Sequence, residues 1–155
     1  VVRPGNLYGP NDKFDWEKSK VIPAIIRRAI ERHDPFEVWG DGMDLKDFLY
    51  IDDLIDGLIL AMERINDFEP INLASGIPIT IRDVLGEILK SSDYEDADIH
   101  YDASKPSMIP KRMIDISLAK KQLGFNPKVS LEDGIQRTVD WYREFYKDTS
   151  PEASE

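Results

Sequence analysis

The 155-residue chain has no cysteine and only two histidines. Without thiols it has no disulfide framework, thiolate zinc site, iron–sulfur cluster or cysteine nucleophile. His33 and His100 stand on different elements with no paired carboxylate spacing, so both read as surface residues and no metal is expected. No apolar run reaches the roughly 18–20 residues that cross a bilayer, and no signal peptide is visible, so a membrane partner is not expected. Neither G-x-G-x-x-G nor G-x-x-x-x-G-K occurs. Positive charge is also in short supply. Lys plus Arg total 20 against 30 Asp plus Glu, a net charge of −10, which argues against a nucleic-acid partner but leaves room for a local basic pocket. The acidic run from Asp93 to Asp98 lacks the glycine and the closing glutamate of a calcium loop and reads as a solvated turn. The missing cysteines fit a cytoplasmic location.

What is present describes a folding chain. Hydrophobic residues make up 41% and charged residues 32%, which excludes a disordered class. Val1-Val2-Arg3-Pro4 reads as the end of a buried strand, and on that ground the chain is expected to be a piece of a longer protein. Gly5 to Lys18 is turn-rich and reads as a long loop. Ser19 is the expected cap of a helix whose face is Val21, Ile22, Ile25, Ile26, Ala29 and Ile30, ended by Asp34-Pro35. Glu37–Trp39 and Phe48–Ile51 read as strands on either side of a Gly40-Asp41-Gly42 turn. Asp52 or Asp53 is the expected cap of a helix burying Leu54, Ile55, Leu58, Ile59 and Met62.

Further along, Ile71–Ala74 reads as a strand stopped by Ser75-Gly76. Thr80 with Asp83 resembles a capping box for a helix carrying Val84, Leu85, Ile88 and Leu89. Asp98–Tyr101 reads as a strand, and Lys105–Lys111, with Pro106 and Pro110, as an extended loop. Ser117 is the expected cap of a short helix ended by Gly124, and Ser130 with Asp133 opens a last helix burying Leu131, Ile135, Val139 and Tyr142. Lys147 to Glu155 is expected to be a disordered tail. The class is α/β: strands and a helix of a larger sheet, followed by a small α+β lobe.

The chemistry that remains lies in loops. Asn6 and Tyr8 flank glycines at the expected carboxyl end of a strand, the edge where open α/β sheets bind ligands. Lys20, Arg27, Arg28, Lys46, Lys105, Lys111 and Arg112 place cations in or beside rigid loops, which suits an anionic ligand such as a diphosphate. Taken singly, Trp39 reads more readily as a core residue than as a stacking platform, and Arg27 and Arg28 as a solvated helix face.

Four motifs stand in a known order. Arg3-Pro4-Gly5-Asn6-Leu7-Tyr8-Gly9-Pro10 resembles the R-P-x-N-x-Y-G-P segment of the extended short-chain dehydrogenases/reductases, the NAD-dependent nucleotide-sugar epimerases and dehydratases. Asp47-Phe48-Leu49-Tyr50-Ile51-Asp52-Asp53 resembles their R-D/E-F-x-Y/H-V-D-D, and Ile71 to Gly76 their I-N-x-G-x-G. Leu123 to Pro127, Leu131 to Ile135 and Thr138 to Tyr142 resemble their C-terminal signature. Within that group the likeness is greatest to the GDP-L-fucose synthases, through Asn6 to Phe14, Ser19 to Arg28, Val38 to Gly42 and Asp102 to Pro106.

The resemblance implies a Rossmann-type NAD(P)-binding fold with a substrate-binding lobe. Residues 1–146 would be the C-terminal, nucleotide-sugar-binding half, with remnants of the Rossmann sheet near 1–5 and 48–64. Pro4, Gly5, Asn6 and Leu7 would lie near the nicotinamide and the sugar. Arg28, Trp39, Lys46 and Lys105 match positions that contact the nucleotide sugar, as Asn6 does. NAD or NADP would be held mainly by a half that precedes Val1, and the full protein would be a homodimer. There are departures. The catalytic histidine of the fucose synthases falls on Lys20, and a substrate-binding arginine falls on Lys46. No Tyr-x-x-x-Lys pair stands at a matching position, so this chain alone is expected to be inactive. The alternative is a stand-alone nucleotide-sugar-binding module without catalysis.

Overall fold

A computed structural model of the chain describes residues 1–105 and 109–146. The elements run β1 (Val2–Pro4), β2 (Asn6–Tyr8), α1 (Val21–Ile30), β3 (Phe36–Trp39), β4 (Leu45–Tyr50), α2 (Ile51–Arg64), β5 (Ile71–Leu73), β6 (Pro78–Thr80), α3 (Ile81–Ser91), β7 (Ile99–Asp102), α4 (Ser117–Leu123) and α5 (Leu131–Trp141), the last followed by a π-helical turn over Tyr142–Tyr146. The expected tail from Lys147 and Pro106 of the proline-held loop lie outside the described residues.

Strands pair with distant partners, and mostly in parallel. β1 lies along β5 with Val2 opposite Ile71, and β3 along β7 with Phe36 opposite Ile99. β4 is central to the third sheet: it runs parallel to β2, with Asn6 opposite Phe48, and antiparallel to β6, with Lys46 opposite Ile79. The turn-rich segment after Gly5 is thus not all loop, because Asn6–Tyr8 has a ladder to join. The strands around Gly40-Asp41-Gly42 do not pair with each other. Both glycines have φ near +80° (80° and 76°), and the chain is turned from one sheet into another there.

The local signals hold where both partners are near in sequence. Thr80 caps α3, its Oγ1 accepting the Asp83 N–H at 3.0 Å, and Ser130 caps α5 in the same way at 3.1 Å. Gly124 ends α4 in the left-handed conformation, φ 62°. Three expected caps fail. Lys20, not Ser19, precedes α1, and the Ser19 N–H is bound to the Asp15 carbonyl in an earlier turn. Tyr50 precedes α2 without a side-chain cap. Ser117 lies inside α4, donating its N–H and hydroxyl to the Asp115 carboxylate, which holds that carboxyl below its usual range.

Two hydrophobic clusters result. The larger gathers Ile22, Ile25, Ile26 and Ala29 of α1, Phe36 and Val38 of β3, Val84, Leu85, Ile88 and Leu89 of α3, and Ile135 and Val139 of α5, with Tyr8, Phe14 and Tyr142. The smaller gathers Leu49, Leu54, Ala61, Ile71, Leu73, Ile116, Ala119, Leu123 and Phe125. Helix α2 corrects an expectation here. Of its five supposed core residues only Leu54 is buried. Ile55, Leu58 and Ile59 are exposed, and Met62 is 84% exposed. The inward face is made of Asp53, Leu54, Gly57 and Ala61, because the sheet is so close that a Cβ on Gly57 would stand 2.7 Å from Leu73 Cδ1.

Candidate functional site

Three segments meet at β4. At its start, the Leu45 N–H donates to the Pro110 carbonyl at 2.8 Å and the Leu45 carbonyl accepts the Arg112 N–H at 2.8 Å. Lys46 donates from Nζ to the Ile109 carbonyl and lies 3.4 Å from the Asp44 carboxylate. The expected substrate cation Lys46 is therefore engaged by the fold. Beside it, Asp47 is 1% exposed. Its Oδ1 accepts the Ser75 N–H at 2.8 Å and the Ser75 hydroxyl at 2.7 Å, and its Oδ2 accepts the Gly76 N–H at 2.9 Å. Its carbonyl accepts Nδ2–H of Asn6 at 2.8 Å. The other amide atom of Asn6, Oδ1, faces Nη1 of Arg112 at 3.5 Å.

Pro4, Gly5 and Leu7 run past the same place. Pro4 is opposite Leu73, the Gly5 N–H binds the Leu73 carbonyl at 2.8 Å, and Leu7 packs on the smaller core. A Cβ on Gly5 would meet Ala74 Cβ and Ile114 Cδ1 at 3.2 Å, so the backbone is closely packed at this strand end.

The second grouping lies along β3 and β7. Burial alternates on β3: Phe36 and Val38 face in, while Glu37 and Trp39 face out. Trp39 is 65% exposed, so the core reading of this residue is wrong and an aromatic face is open. Lys105 holds its ammonium 5.6 Å from the centre of that ring. The turn that delivers it is fixed locally. The Asp102 carboxylate accepts the Ser104 hydroxyl at 2.5 Å and the Ser104 N–H at 3.0 Å, and the Asp102 carbonyl accepts the Lys105 N–H at 3.2 Å. The Ser104 hydroxyl, then its N–H, holds the Asp102 carboxyl below its usual range. Arg28 joins from α1, donating from Nη1 to the Glu37 carbonyl at 2.7 Å. Arg28, Trp39 and Lys105 thus share one edge.

Arg27 behaves differently and is not a solvated residue. It donates to Glu31 at 2.7 Å and to the Phe14 carbonyl at 3.0 Å, and lies 4.2 Å from the ring centre of Trp16. Lys20 belongs to neither grouping by its contacts. Its side chain is 63% exposed, with Nζ 3.9 Å from the Asp12 carboxylate. A groove of about 440 Å³ between α3 and the start of α5, lined by Arg82, Gly86, Glu87 and Leu131, contains none of the expected site residues.

Sequence reasoning missed two carboxylates, Asp47 and Asp53. Asp53 is 3% exposed and accepts the N–H groups of Lys128 and Val129 at 2.9 and 3.0 Å. The sequence marks Asp47 directly before the apolar run from Phe48 to Ile51, and offers Asp52 and Asp53 alike after it, without saying which of the two turns inward.

Parallel strand pairs separated by helices, with polar residues collected at strand ends, define part of a Rossmann-type α/β fold. Residues 1–74 match the NAD dependent epimerase/dehydratase family. GDP-L-fucose synthase 1 of Arabidopsis thaliana is 41% identical over 143 residues, which are 90% of this chain and 44% of that protein. A GDP-L-fucose synthetase from Naegleria fowleri superposes with a TM-score of 0.87 at 26% identity, covering 94% of this chain and 46% of that one. UDP-glucuronic acid 4-epimerase from Bacillus cereus, solved with UDP-glucuronic acid and NAD, gives a TM-score of 0.80 at 30% identity, covering 94% of this chain and 45% of that one. The chain spans about half the length of the relatives it matches. Among the described residues no helix is long and apolar enough to cross a membrane.

Proposed function

We propose that residues 1–146 form the substrate-binding side of an NAD(P)-dependent nucleotide-sugar epimerase, dehydratase or reductase related to the GDP-L-fucose synthases. The observation that carries this reading is the exposed Trp39 ring with the Lys105 ammonium beside it, on the strand whose Glu37 carbonyl holds Arg28. An acidic chain that keeps such a patch is suited to a nucleoside diphosphate. Trp39 packs on the base or the sugar. Lys105 and Arg28 offset the diphosphate charge, Arg28 with the guanidinium N–H groups that Glu37 does not use. Lys46 fixes the loop that carries Arg112 and acts on the substrate through that loop.

The packed strand end fits a nicotinamide cofactor. The Pro4–Leu7 backbone is fixed by Leu73, and the Asn6 amide is fixed by Asp47. When bound, the nicotinamide gives or takes the hydride at a sugar carbon. Lys20 stands where the related synthases have their acid, and hands a proton to a neighbouring carbon. Its exposed, flexible side chain reaches substrate only by leaving Asp12. A tyrosine outside this chain handles the proton on the sugar oxygen.

The test starts with the intact mass of the polypeptide as its source produces it, followed by titration with GDP-, UDP- and dTDP-sugars. A mass about twice that of this chain, with nicotinamide turnover on one of those sugars, supports the reading. A polypeptide of this length that binds a nucleotide sugar without turnover replaces it with a binding module, and no binding at all ends both. In the binding protein, Arg28→Ala is expected to weaken nucleotide-sugar affinity about tenfold. Arg27→Ala is expected to leave affinity nearly unchanged and to lower the melting temperature. Equal losses of affinity would remove Arg28 from the site.

A further inference from the structure

The side-chain amide of Asn6 is held by the backbone of Asp47, a residue whose own side chain is buried. Nδ2 of Asn6 is committed to the Asp47 carbonyl at 2.8 Å, so Oδ1 is the atom turned toward Arg112. The Asp47 peptide is itself pinned, because the carboxylate on the same residue is buried and takes three hydrogen bonds from the Ser75–Gly76 turn. That turn has little freedom of its own. Ser75 Oγ accepts the Ile77 N–H at 3.0 Å, and Gly76 sits at φ +74°, where a Cβ would stand 2.8 Å from Ile116 Cδ1.

We propose that Asp47 is a positioning residue for the binding site. Its carboxylate locks the β4 backbone to the Ser75–Gly76 turn, and its carbonyl thereby holds the Asn6 amide with Oδ1 outward. The site then offers an acceptor at Asn6, suited to a hydroxyl or amide N–H of the ligand, with the Arg112 guanidinium beside it. A freely rotating Asn6 would present its donor as often as its acceptor, and the selectivity would be lost. This inference rests on the reading of Asn6 as part of the binding side.

The experiment uses the full-length protein with Asp47→Asn, Ser75→Ala, Asn6→Ala and the double variant Asn6→Ala/Ser75→Ala. Ser75→Ala keeps two of the three bonds to Asp47 and serves if Asp47→Asn does not fold. Two quantities are read: affinity for GDP and UDP by calorimetry, and hydrogen exchange of the Asn6 side-chain amide in asparagine-labelled protein. Asp47→Asn is expected to weaken the tighter nucleotide about tenfold and Ser75→Ala several-fold, each with faster Asn6 amide exchange. In the Asn6→Ala background, Ser75→Ala should change affinity less than twofold, since the group being positioned is gone. Additive losses, or an Asn6 amide that stays protected in Ser75→Ala, overturn the proposal. If the wild-type protein binds neither nucleotide, the binding reading fails separately, and exchange at Asn6 alone decides whether Asp47 orients it.

Discussion

The two cores of this molecule are built in opposite ways. In the larger, α1, α3 and α5 turn their large residues inward, Ile26, Ile88 and Ile135 all being fully buried. In the smaller, α2 turns its small residues inward, Gly57 and Ala61, and leaves Ile55, Leu58, Ile59 and Met62 outside. The first arrangement is that of helices with one wet side. The second is that of a helix apolar on both sides, with one side open. Apolar residues on a helix therefore do not by themselves tell which side meets the nearest sheet. Here the sheet takes the side that allows the closest approach.

This contrast can be pressed by mutation. Ile135→Ala in the larger core should cost about 3 kcal/mol, read from urea unfolding. A loss no greater than that of the matching Ile59→Ala on the open side of α2 would erase the distinction. Asp53→Ala should cost about 2 kcal/mol, because the N–H groups of Lys128 and Val129 lose their acceptor at the border of α2. A loss confined to a few tenths would mean that water replaces the carboxylate and the border is wet.

Tyr8 gives a pH test of the larger core. Burial, then the charges of Tyr50, Asp53 and Asp133, pushes its phenol well above the ordinary value near 10. The unfolded chain therefore ionises first. The stabilisation is complete below about pH 10 and is lost as pH rises from there toward the folded value. Tyr8→Phe should flatten the fall in stability above pH 10, and an unchanged alkaline slope would show that this phenol is not excluded from water. The smallest effect belongs to the open side. Met62→Lys should move stability by less than about 0.5 kcal/mol in this chain. A large loss would show that the side is covered after all.

Much of the fold was legible because its determinants are local. Thr80 with Asp83, Ser130 with Asp133, and Gly124 act within one turn of where they stand. Asp53 was misread for the same reason. Its position suits a helix cap, but its partners are Lys128 and Val129, and no short-range spacing announces them. Lys46 looked like a free cation because Ile109 and Asp44 had not yet been placed around it. Trp39 could be read as core or surface until the register of β3 against β7 decided its side. The likeness to the epimerase/dehydratase family was legible from ordered motifs, while the burial of Asp47 depended on a turn formed by Ser75 and Gly76.

The pairing of β1 with β5 has a consequence for how the molecule comes into being. Val2 meets Ile71, Asn6 meets Phe48, Phe36 meets Ile99 and Lys46 meets Ile79, so among the described residues no sheet begins as a hairpin. Each pair closes a long loop before it gains anything from the contact, which slows its formation relative to a hairpin. During synthesis β1 leaves the ribosome well before β5 exists, and its apolar residues wait. The helices α1 and α3, which need only neighbours to start, are then the natural first structure, and the sheets are the last to be sealed.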